Sequence, residues 1–148
     1  MLLHASSVAR EGEAVLLLGP PGSGKSDLVL RLIERGWRLV ADDQVVLAAE
    51  AGVLRAGPPP ALHGLLEVRG LGIFRDLPVA ASAPLRLAAH LVAREAVPRL
   101  PEPEGWTQAG VTLPAIRLDA FAASATAKLG LALDAALGRA RQRAGAFA

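Results

Sequence analysis

The sequence predicts an α/β domain in which a mixed β-sheet is flanked by helices, and three observations support this fold class. The chain has 148 residues, which fits a single domain over residues 1–148. Hydrophobic residues make up 52% and aromatic residues only 3%, so the core is expected to consist of Leu, Val, Ile and Ala, as in a parallel sheet covered by helices. Short apolar runs bounded by turn residues are mixed with two stretches of helical character.

The first third of the chain predicts strands followed by a turn and a helix. Two short apolar runs are separated by the polar turn Arg10–Glu13, which is typical of a strand-turn-strand unit. After a glycine- and proline-rich turn, apolar residues recur with helical spacing, and a glycine follows as a C-terminal cap. In chain order we predict strands Leu2–Val8 and Ala14–Leu18, turn Gly19–Gly24, helix Asp27–Arg35 with Gly36, and strand Leu39–Ala41.

The remaining elements are shorter and are interrupted by proline and glycine. Two apolar runs around Glu50-Ala51-Gly52 predict a hairpin, and three successive prolines predict a rigid extended loop because proline lacks the N–H that a ladder needs. Alanine and leucine enrichment near the end predicts a closing helix. These elements are hairpin strands Val45–Ala49 and Val53–Ala56, loop Pro58–Pro60, strands Leu65–Val68 and Leu85–Val92, an irregular segment Pro98–Gly110, and a helix from Ser124 to Arg143.

Charge and hydropathy argue against two classes of partner. The formal net charge is +2 and the sequence pI is near 9.9, but the basic residues are spread along the chain. The local cluster Arg139, Arg141 and Arg143 ends the predicted helix, where cations complement the helix dipole. No apolar run approaches the ~20 residues that span a bilayer, and the N-terminus lacks a signal-peptide pattern. We therefore expect no nucleic-acid or membrane partner and a cytoplasmic location.

Eight consecutive residues between a predicted strand and a predicted helix match the phosphate-binding P-loop pattern G-x-x-x-x-G-K-[ST]. They are Gly19, Pro20, Pro21, Gly22, Ser23, Gly24, Lys25 and Ser26. Glycines let the backbone curl so that successive N–H groups point at phosphate oxygens, and the following helix adds the positive end of its dipole. In this pattern Lys25 reaches the β- and γ-phosphates and the Ser26 hydroxyl ligates Mg²⁺. The motif predicts binding of ATP with Mg²⁺.

Two acidic residues, Asp42 and Asp43, follow the predicted strand Leu39–Ala41. An acid at this place in a P-loop enzyme holds Mg²⁺ or its water. Adjacent side chains on an extended segment point in opposite directions, so we expect different roles, one near the metal and one near an acceptor hydroxyl. Spacing alone leaves open which aspartate has which role.

With these residues in place, the chain resembles the catalytic domain of bacterial HPr kinase/phosphorylase. That family phosphorylates a serine of the phosphocarrier protein HPr and can reverse the reaction with inorganic phosphate. The resemblance covers Leu3–Phe74 and rests on blocks that occur in the same order. They are Leu3-His4, the P-loop ending in Lys25-Ser26, the run from Arg35 to Asp43, and Leu66-Glu67-Val68-Arg69-Gly70-Leu71-Gly72-Ile73.

The resemblance implies catalytic roles for four residues. Asp43 corresponds to the proton acceptor for phosphorylation, which acts as a donor in the reverse reaction. His4 and Lys25 correspond to further active-site positions, with His4 close to the bound phosphates. Arg99, within Val97–Leu100, is aligned with a catalytic arginine across a deletion.

The resemblance also implies how the cofactors are held. Ser26 and Glu67 correspond to the magnesium ligands. From the P-loop pattern itself, Asp42 is expected with the P-loop residues at the nucleotide. ATP and Mg²⁺ are therefore the expected cofactors.

The partners follow from the same family. An HPr-like phosphocarrier of a phosphotransferase system is the expected acceptor, and a homo-oligomer, a hexamer in the family, is the expected assembly. The family's separate N-terminal domain has no counterpart in this sequence, so a short, catalytic-domain-only member is expected. The stretch Arg117–Ala122 lacks the Gly-Arg-Asn signature that the family uses for dephosphorylation, which leaves that second activity open.

Two other functions remain open from the residues alone. A small-molecule kinase of the P-loop class would carry an arginine-rich lid, and no clear one follows Gly72. A regulatory module that senses ATP without transferring phosphate would need no proton acceptor beside the metal site, whereas Asp42, Asp43 and Glu67 are all present.

Overall fold

The computed structural model describes residues 1–148 as eleven strands, two α-helices and two short 3-10 helices, Pro60–Leu62 and Arg94–Ala96. The helices are α1, Lys25–Glu34, and α2, Ala125–Ala136. The strands are β1 Leu2–Leu3, β2 Ser6–Arg10, β3 Glu13–Leu18, β4 Arg38–Ala41, β5 Val45–Glu50, β6 Val53–Gly57, β7 Leu66–Val68, β8 Gly72–Phe74, β9 Ala83–Leu91, β10 Glu104–Gln108 and β11 Val111–Leu118.

Nine of these strands form one mixed sheet in the order β1-β5-β6-β9-β3-β2-β4, with β11 pairing with β9 and β10 pairing with β11. The central pairs β3–β9 and β9–β11 are parallel, and the other pairs are antiparallel. The predicted α/β fold with a mixed sheet and flanking helices is confirmed.

The core lies on both faces of the sheet because residues on a strand point alternately to either side. Along β3, Val15 and Leu17 join the cluster under the helices, whereas Ala14 and Leu16 join the cluster on the opposite face. The helix-covered cluster has 18 buried residues and the other has 13. The strand that leads into the glycine-rich loop is therefore held on both faces, which gives that loop a rigid base.

Helix α2 ends earlier than predicted, at Ala136 instead of Arg143. Gly138 follows in the left-handed region at φ 76, and the N–H of Arg139 donates to the carbonyl oxygen of Asp134 at 2.8 Å. This is the Schellman arrangement that ends helices at a glycine. The three arginines near the C-terminus therefore lie beyond the helix.

The segment predicted to be irregular, Pro98–Gly110, contains strand β10. Ala109 and Gly110 form a two-residue turn with φ 50 and 76, and this turn pairs β10 with β11. Positive φ at both turn residues matches the twist of a hairpin. The prolines before Glu104 stay outside the strand.

A small second sheet lies apart from the main one. Strands β7 and β8 form an antiparallel hairpin whose turn contains Gly70. The strand predicted at Leu65–Val68 is confirmed as β7, while its partner β8 was not predicted.

No helix of the chain is both long and apolar enough to cross a bilayer.

The packing of α2 leads to a stability prediction. Leu129 on this helix is fully buried, whereas Leu131, two residues later, is 63% exposed. Leu129→Ala is expected to lower the free energy of unfolding by about 2–5 kcal/mol because it leaves a cavity in the core. The matched change Leu131→Ala is expected to cost less than about 0.5 kcal/mol. Equal losses for the two variants in urea unfolding would contradict this packing.

Candidate functional site

The glycine-rich loop, residues 19–24, joins β3 to α1 and needs glycine at its fixed positions. A Cβ at Gly19 would lie 2.5 Å from the Ser23 Oγ, so a side chain there would force the loop apart. Gly24 precedes α1 with φ 96, and a Cβ there would lie 3.0 Å from both the Ala120 Cβ and the Phe121 ring. The glycines therefore allow a close turn and a close approach to a neighbouring segment.

Lys25 is the first residue of α1 and remains close to the loop. Its ammonium group donates to the carbonyl oxygens of Gly19 and Pro20, the latter at 3.1 Å. The Ser23 hydroxyl is buried in the same loop and has no protein partner. A buried hydroxyl without a partner is rare in a folded protein. Loop amides, the start of α1 and this lysine together favour an anion.

Asp42 is the inner member of the acidic pair. It follows the last residue of β4, and its Oδ1 accepts hydrogen bonds from the Ser26 hydroxyl at 2.9 Å and from the Ser6 hydroxyl at 3.0 Å. Ser26 lies on α1 and Ser6 on β2, so the carboxylate links three elements. Burial raises the pKa of Asp42, and the nearby charge of Asp43 adds to the rise, while the hydroxyls and the backbone N–H of Glu67 act against it.

Asp43 is the outer member, and its side chain is 67% exposed. Its backbone has φ 67, so the chain turns at this residue and is not extended as the sequence suggested. The N–H of Asp43 donates to the Ser6 Oγ at 3.1 Å, and the N–H of Ala5 donates to the Asp43 carbonyl oxygen at 3.2 Å. His4 Nδ1 lies 3.8 Å from Asp43 Oδ1. The two aspartates thus occupy different surroundings.

One cleft of about 530 Å³ brings several of these side chains together. Lys25, Ser26, Asp43 and Glu67 all line it, and Glu67 is carried there by β7 of the small hairpin. His4 does not line the cleft but lies next to it through Asp43. The Lys25 ammonium group, the Ser26 hydroxyl and the two carboxylates therefore face one space beside the glycine-rich loop, which Asp27 and Arg69 also line.

Arg99 does not line this cleft. It lines a neighbouring cleft of about 810 Å³ together with Arg94, Arg117 and Lys128. Phe121 lines both clefts, so they adjoin at this side chain. The structure therefore separates Arg99 from the other predicted catalytic residues.

The donor set fits a magnesium ion that is shared with phosphates. Mg²⁺ in nucleotide sites uses one or two carboxylates together with phosphate oxygens and water. Ser26 and Asp42 offer oxygen atoms in contact with each other, and Glu67 lies in the same cleft. No group of three or more His, Cys, Asp and Glu side chains is placed to hold a metal ion.

Three residues near the cleft were not singled out as site residues from the sequence. Arg69 and Phe121 line the cleft, and Ser6 contacts both aspartates. Ser6 carried a signal, because a polar Ser-Ser pair inside an apolar strand is unusual. Phe121 carried none, since its place beside Gly24 depends on a contact between distant parts of the chain.

The environment of Asp42 leads to a pH prediction. Folding raises the pKa of Asp42, so the protonated carboxyl favours the folded state. This contribution to the free energy of unfolding is fully present below the ordinary pKa of an aspartate and is lost as the pH rises through the raised value. Asn cannot titrate, so Asp42→Asn should gain stability relative to the parent as the pH rises from about 3 to 7. Urea unfolding at several pH values measures this. A constant difference between the two proteins across that range would contradict the prediction.

Part of the chain matches a known protein family and several of its members. Residues 1–96 match the family model described as the HPr Serine kinase C-terminal domain. The HPr kinase/phosphorylase of Bordetella pertussis is 46% identical over 100 residues, which is 61% of this chain and 32% of that protein. The HPr kinase/phosphorylase of Clostridium novyi is 47% identical over 76 residues, which is 51% of this chain and 24% of that protein. The chain thus spans about a third or less of the length of these curated relatives.

A solved structure has the same architecture. The structure of the Hpr(Ser) kinase/phosphatase from Coxiella burnetii matches with a TM-score of 0.73 and 29% sequence identity. The match covers 80% of this chain and 85% of that chain. It therefore extends beyond the segment that the family model covers.

Proposed function

Because the chain belongs to the HPr serine kinase C-terminal domain family, we propose that it is an ATP-dependent protein serine kinase whose acceptor is an HPr-like phosphocarrier protein. The observation that carries the proposal is the single cleft in which Lys25 and Ser26 meet Asp43. A phosphate-binding loop, a place for a metal ion and an exposed carboxylate are the parts that phosphoryl transfer needs.

The glycine-rich loop binds the β- and γ-phosphates of ATP, and Lys25 neutralises their charge. Ser26 and Glu67 hold Mg²⁺, with Asp42 bonded to the Ser26 hydroxyl. When bound, Mg²⁺ neutralises charge on the transferring phosphoryl group. Most of the rate gain comes from positioning and from electrostatic stabilisation of that group.

Asp43 is the proton acceptor in this mechanism. The hydroxyl oxygen of the acceptor serine attacks the γ-phosphorus, and the bond from that phosphorus to the bridging oxygen of ADP breaks. The hydroxyl proton passes to the Asp43 carboxylate, and ADP leaves with the electron pair of the broken bond. The exposure of Asp43 supports this role because a protein substrate has to reach its base.

Two further residues have supporting roles in the proposal. His4 lies 3.8 Å from Asp43 and orients the carboxylate or contacts the phosphates. Arg99 stabilises charge on the phosphoryl group, which requires it to reach across the boundary at Phe121 from the adjoining cleft. Arg99 is therefore the catalytic assignment with the least support from the geometry.

The cellular setting belongs to the same proposal. We propose a cytoplasmic protein that acts as a homo-oligomer, a hexamer as the family resemblance implies, within a phosphotransferase system. Phosphate-dependent dephosphorylation is a second proposed activity. It needs a separate test because the stretch Arg117–Ala122 lacks the Gly-Arg-Asn signature.

ADP formation tests the kinase proposal. The protein is incubated with Mg-ATP, with and without an HPr-like carrier from the same source. A carrier-dependent release of ADP is the expected result, and a carrier with its acceptor serine changed to alanine is the control. ATP binding without carrier-dependent ADP release would contradict the proposal and favour a nucleotide sensor.

A further inference from the structure

We propose that Ser6 is a positioning residue that fixes Asp42 and Asp43 relative to each other, a role that rests on the proposed kinase function. One hydroxyl serves both acids: Ser6 Oγ donates to Asp42 Oδ1 at 3.0 Å and accepts the N–H of Asp43 at 3.1 Å. A hydroxyl has one proton, and here it is donated to Asp42. The hydroxyl therefore has one orientation in which it makes both hydrogen bonds.

The hydroxyl is held on a rigid base. Ser6 is fully buried, and its strand β2 pairs with β3 on one side and with β4 on the other. Asp42 and Asp43 directly follow β4, in a bend outside the ladder. Ser6 therefore ties the two residues that follow the edge strand β4 to a strand that is paired on both sides.

The backbone of Asp43 needs this support. A non-glycine residue at φ 67 is in a strained region, which persists only where the surroundings enforce it. The Asp43 N–H donates to Ser6 Oγ, and the Asp43 carbonyl oxygen accepts from the N–H of Ala5. Removing the Ser6 hydroxyl leaves the first of these groups without its partner. The Asp43 carboxylate then loses its fixed direction towards the cleft while the glycine-rich loop stays intact.

Ser7 offers a matched control next to Ser6. It is also fully buried on β2, and its hydroxyl donates to the carbonyl oxygen of Val15 at 2.9 Å. Ser7→Ala therefore removes one buried hydroxyl, as Ser6→Ala does, but it breaks one hydrogen bond where Ser6→Ala breaks two, and neither aspartate is its partner. A purely structural role predicts similar effects of the two changes.

Steady-state kinetics with Mg-ATP and the carrier distinguishes a positioning role of Ser6 from a purely structural one. Ser6→Ala is expected to lower kcat by about tenfold or more, since small displacements of a catalytic group cost that much, with KM for ATP within about threefold of the parent. Ser6→Thr keeps the hydroxyl and should restore most of kcat, and Ser7→Ala should leave kcat unchanged. Ser6→Cys keeps the number and branching of the side-chain atoms, with a slightly larger sulfur, but weakens both hydrogen bonds, and it replaces Ser6→Ala if that variant does not fold. Parent-like kcat for Ser6→Ala, or an equal loss for Ser7→Ala, would overturn the proposal.

Amide hydrogen exchange gives a readout that needs no activity. The Asp43 amide is expected to exchange at least about tenfold faster in Ser6→Ala than in the parent, because local opening no longer has to break its hydrogen bond. Ser7→Ala and Ser6→Thr should keep the parent rate. An unchanged Asp43 rate in Ser6→Ala would overturn the positioning role even if the kinase is active. A parent that transfers no phosphate would instead reject the kinase function, while the exchange rates still decide the role of Ser6.

Discussion

Asp43→Asn is expected to lower the rate of phosphate transfer to the carrier by about 10³-fold, because an amide cannot accept the proton of the attacking hydroxyl. The change keeps the size of the side chain, and the side chain is mostly exposed, so folding should be unaffected. The loop, Lys25 and Ser26 are untouched, and the dissociation constant for Mg-ATP should stay within about threefold of the parent. Single-turnover transfer and a nucleotide-binding titration measure the two quantities.

Asp27→Asn is the matched control for this change. Asp27 lines the same cleft, and its carboxylate pairs with Arg31 one helical turn away. The same conversion of carboxylate to amide there should leave transfer nearly unchanged, because an exposed pair of this kind contributes little. Normal transfer by Asp43→Asn, or an equal loss in both variants, would reject Asp43 as the base.

Lys25→Ala is expected to weaken both nucleotide binding and transfer, with a loss in kcat/KM of about 10²–10³-fold. The Lys25 side chain lines the cleft at the start of α1, where the phosphates are expected to lie. Unlike Asp43→Asn, this change should be visible in binding as well as in turnover.

Lys128→Ala is the control, since Lys128 is the other lysine of the chain and lines the adjoining cleft. Its removal also lowers the net charge by one, so any general effect of charge on ATP affinity appears in both variants. Parent-like ATP affinity and transfer in Lys25→Ala would contradict the assignment of the glycine-rich loop as the phosphate site.

Local sequence patterns were sufficient where a single element decides the structure. The loop of residues 19–24 and the helix after it follow from glycine placement and helical spacing. The strand before Asp42 follows from three apolar residues, of which Leu39 and Val40 are almost fully buried. Sequence patterns failed where two residue types predicted different structures. The prolines before Glu104 favoured an irregular segment over strand β10, although Gly110 marked the turn that follows this strand.

At the end of α2, a helix-favouring composition and a capping glycine likewise point to different structures. Alanine and leucine favour a helix well past Ala136, but Gly138 adopts φ 76 and ends it. Intrinsic preference is worth only a fraction of a kcal/mol for each residue, so a single capping arrangement decides where such a helix stops. Gly138 is therefore the residue in the sequence that marks the end of this helix.

The arrangement of the site could be predicted only in part. Asp42 and Ser26 are 16 residues apart, and their contact agrees with what a P-loop motif followed by an acidic strand end suggests. The contact of Ser6 with Asp42 spans 36 residues and depends on β2 pairing with β4. No spacing rule gives that register in advance, because a shift of one residue would turn Ser7 towards the acids instead.

Mapping the phosphosite on the carrier by mass spectrometry tests the central claim most directly. The protein is incubated with Mg-ATP and the HPr-like carrier from the same source, and Asp43→Asn is run in parallel. The account predicts one phosphoserine on the carrier that forms with the parent and is nearly absent with the variant. An unmodified carrier, together with demonstrable ATP binding by the parent, would contradict it.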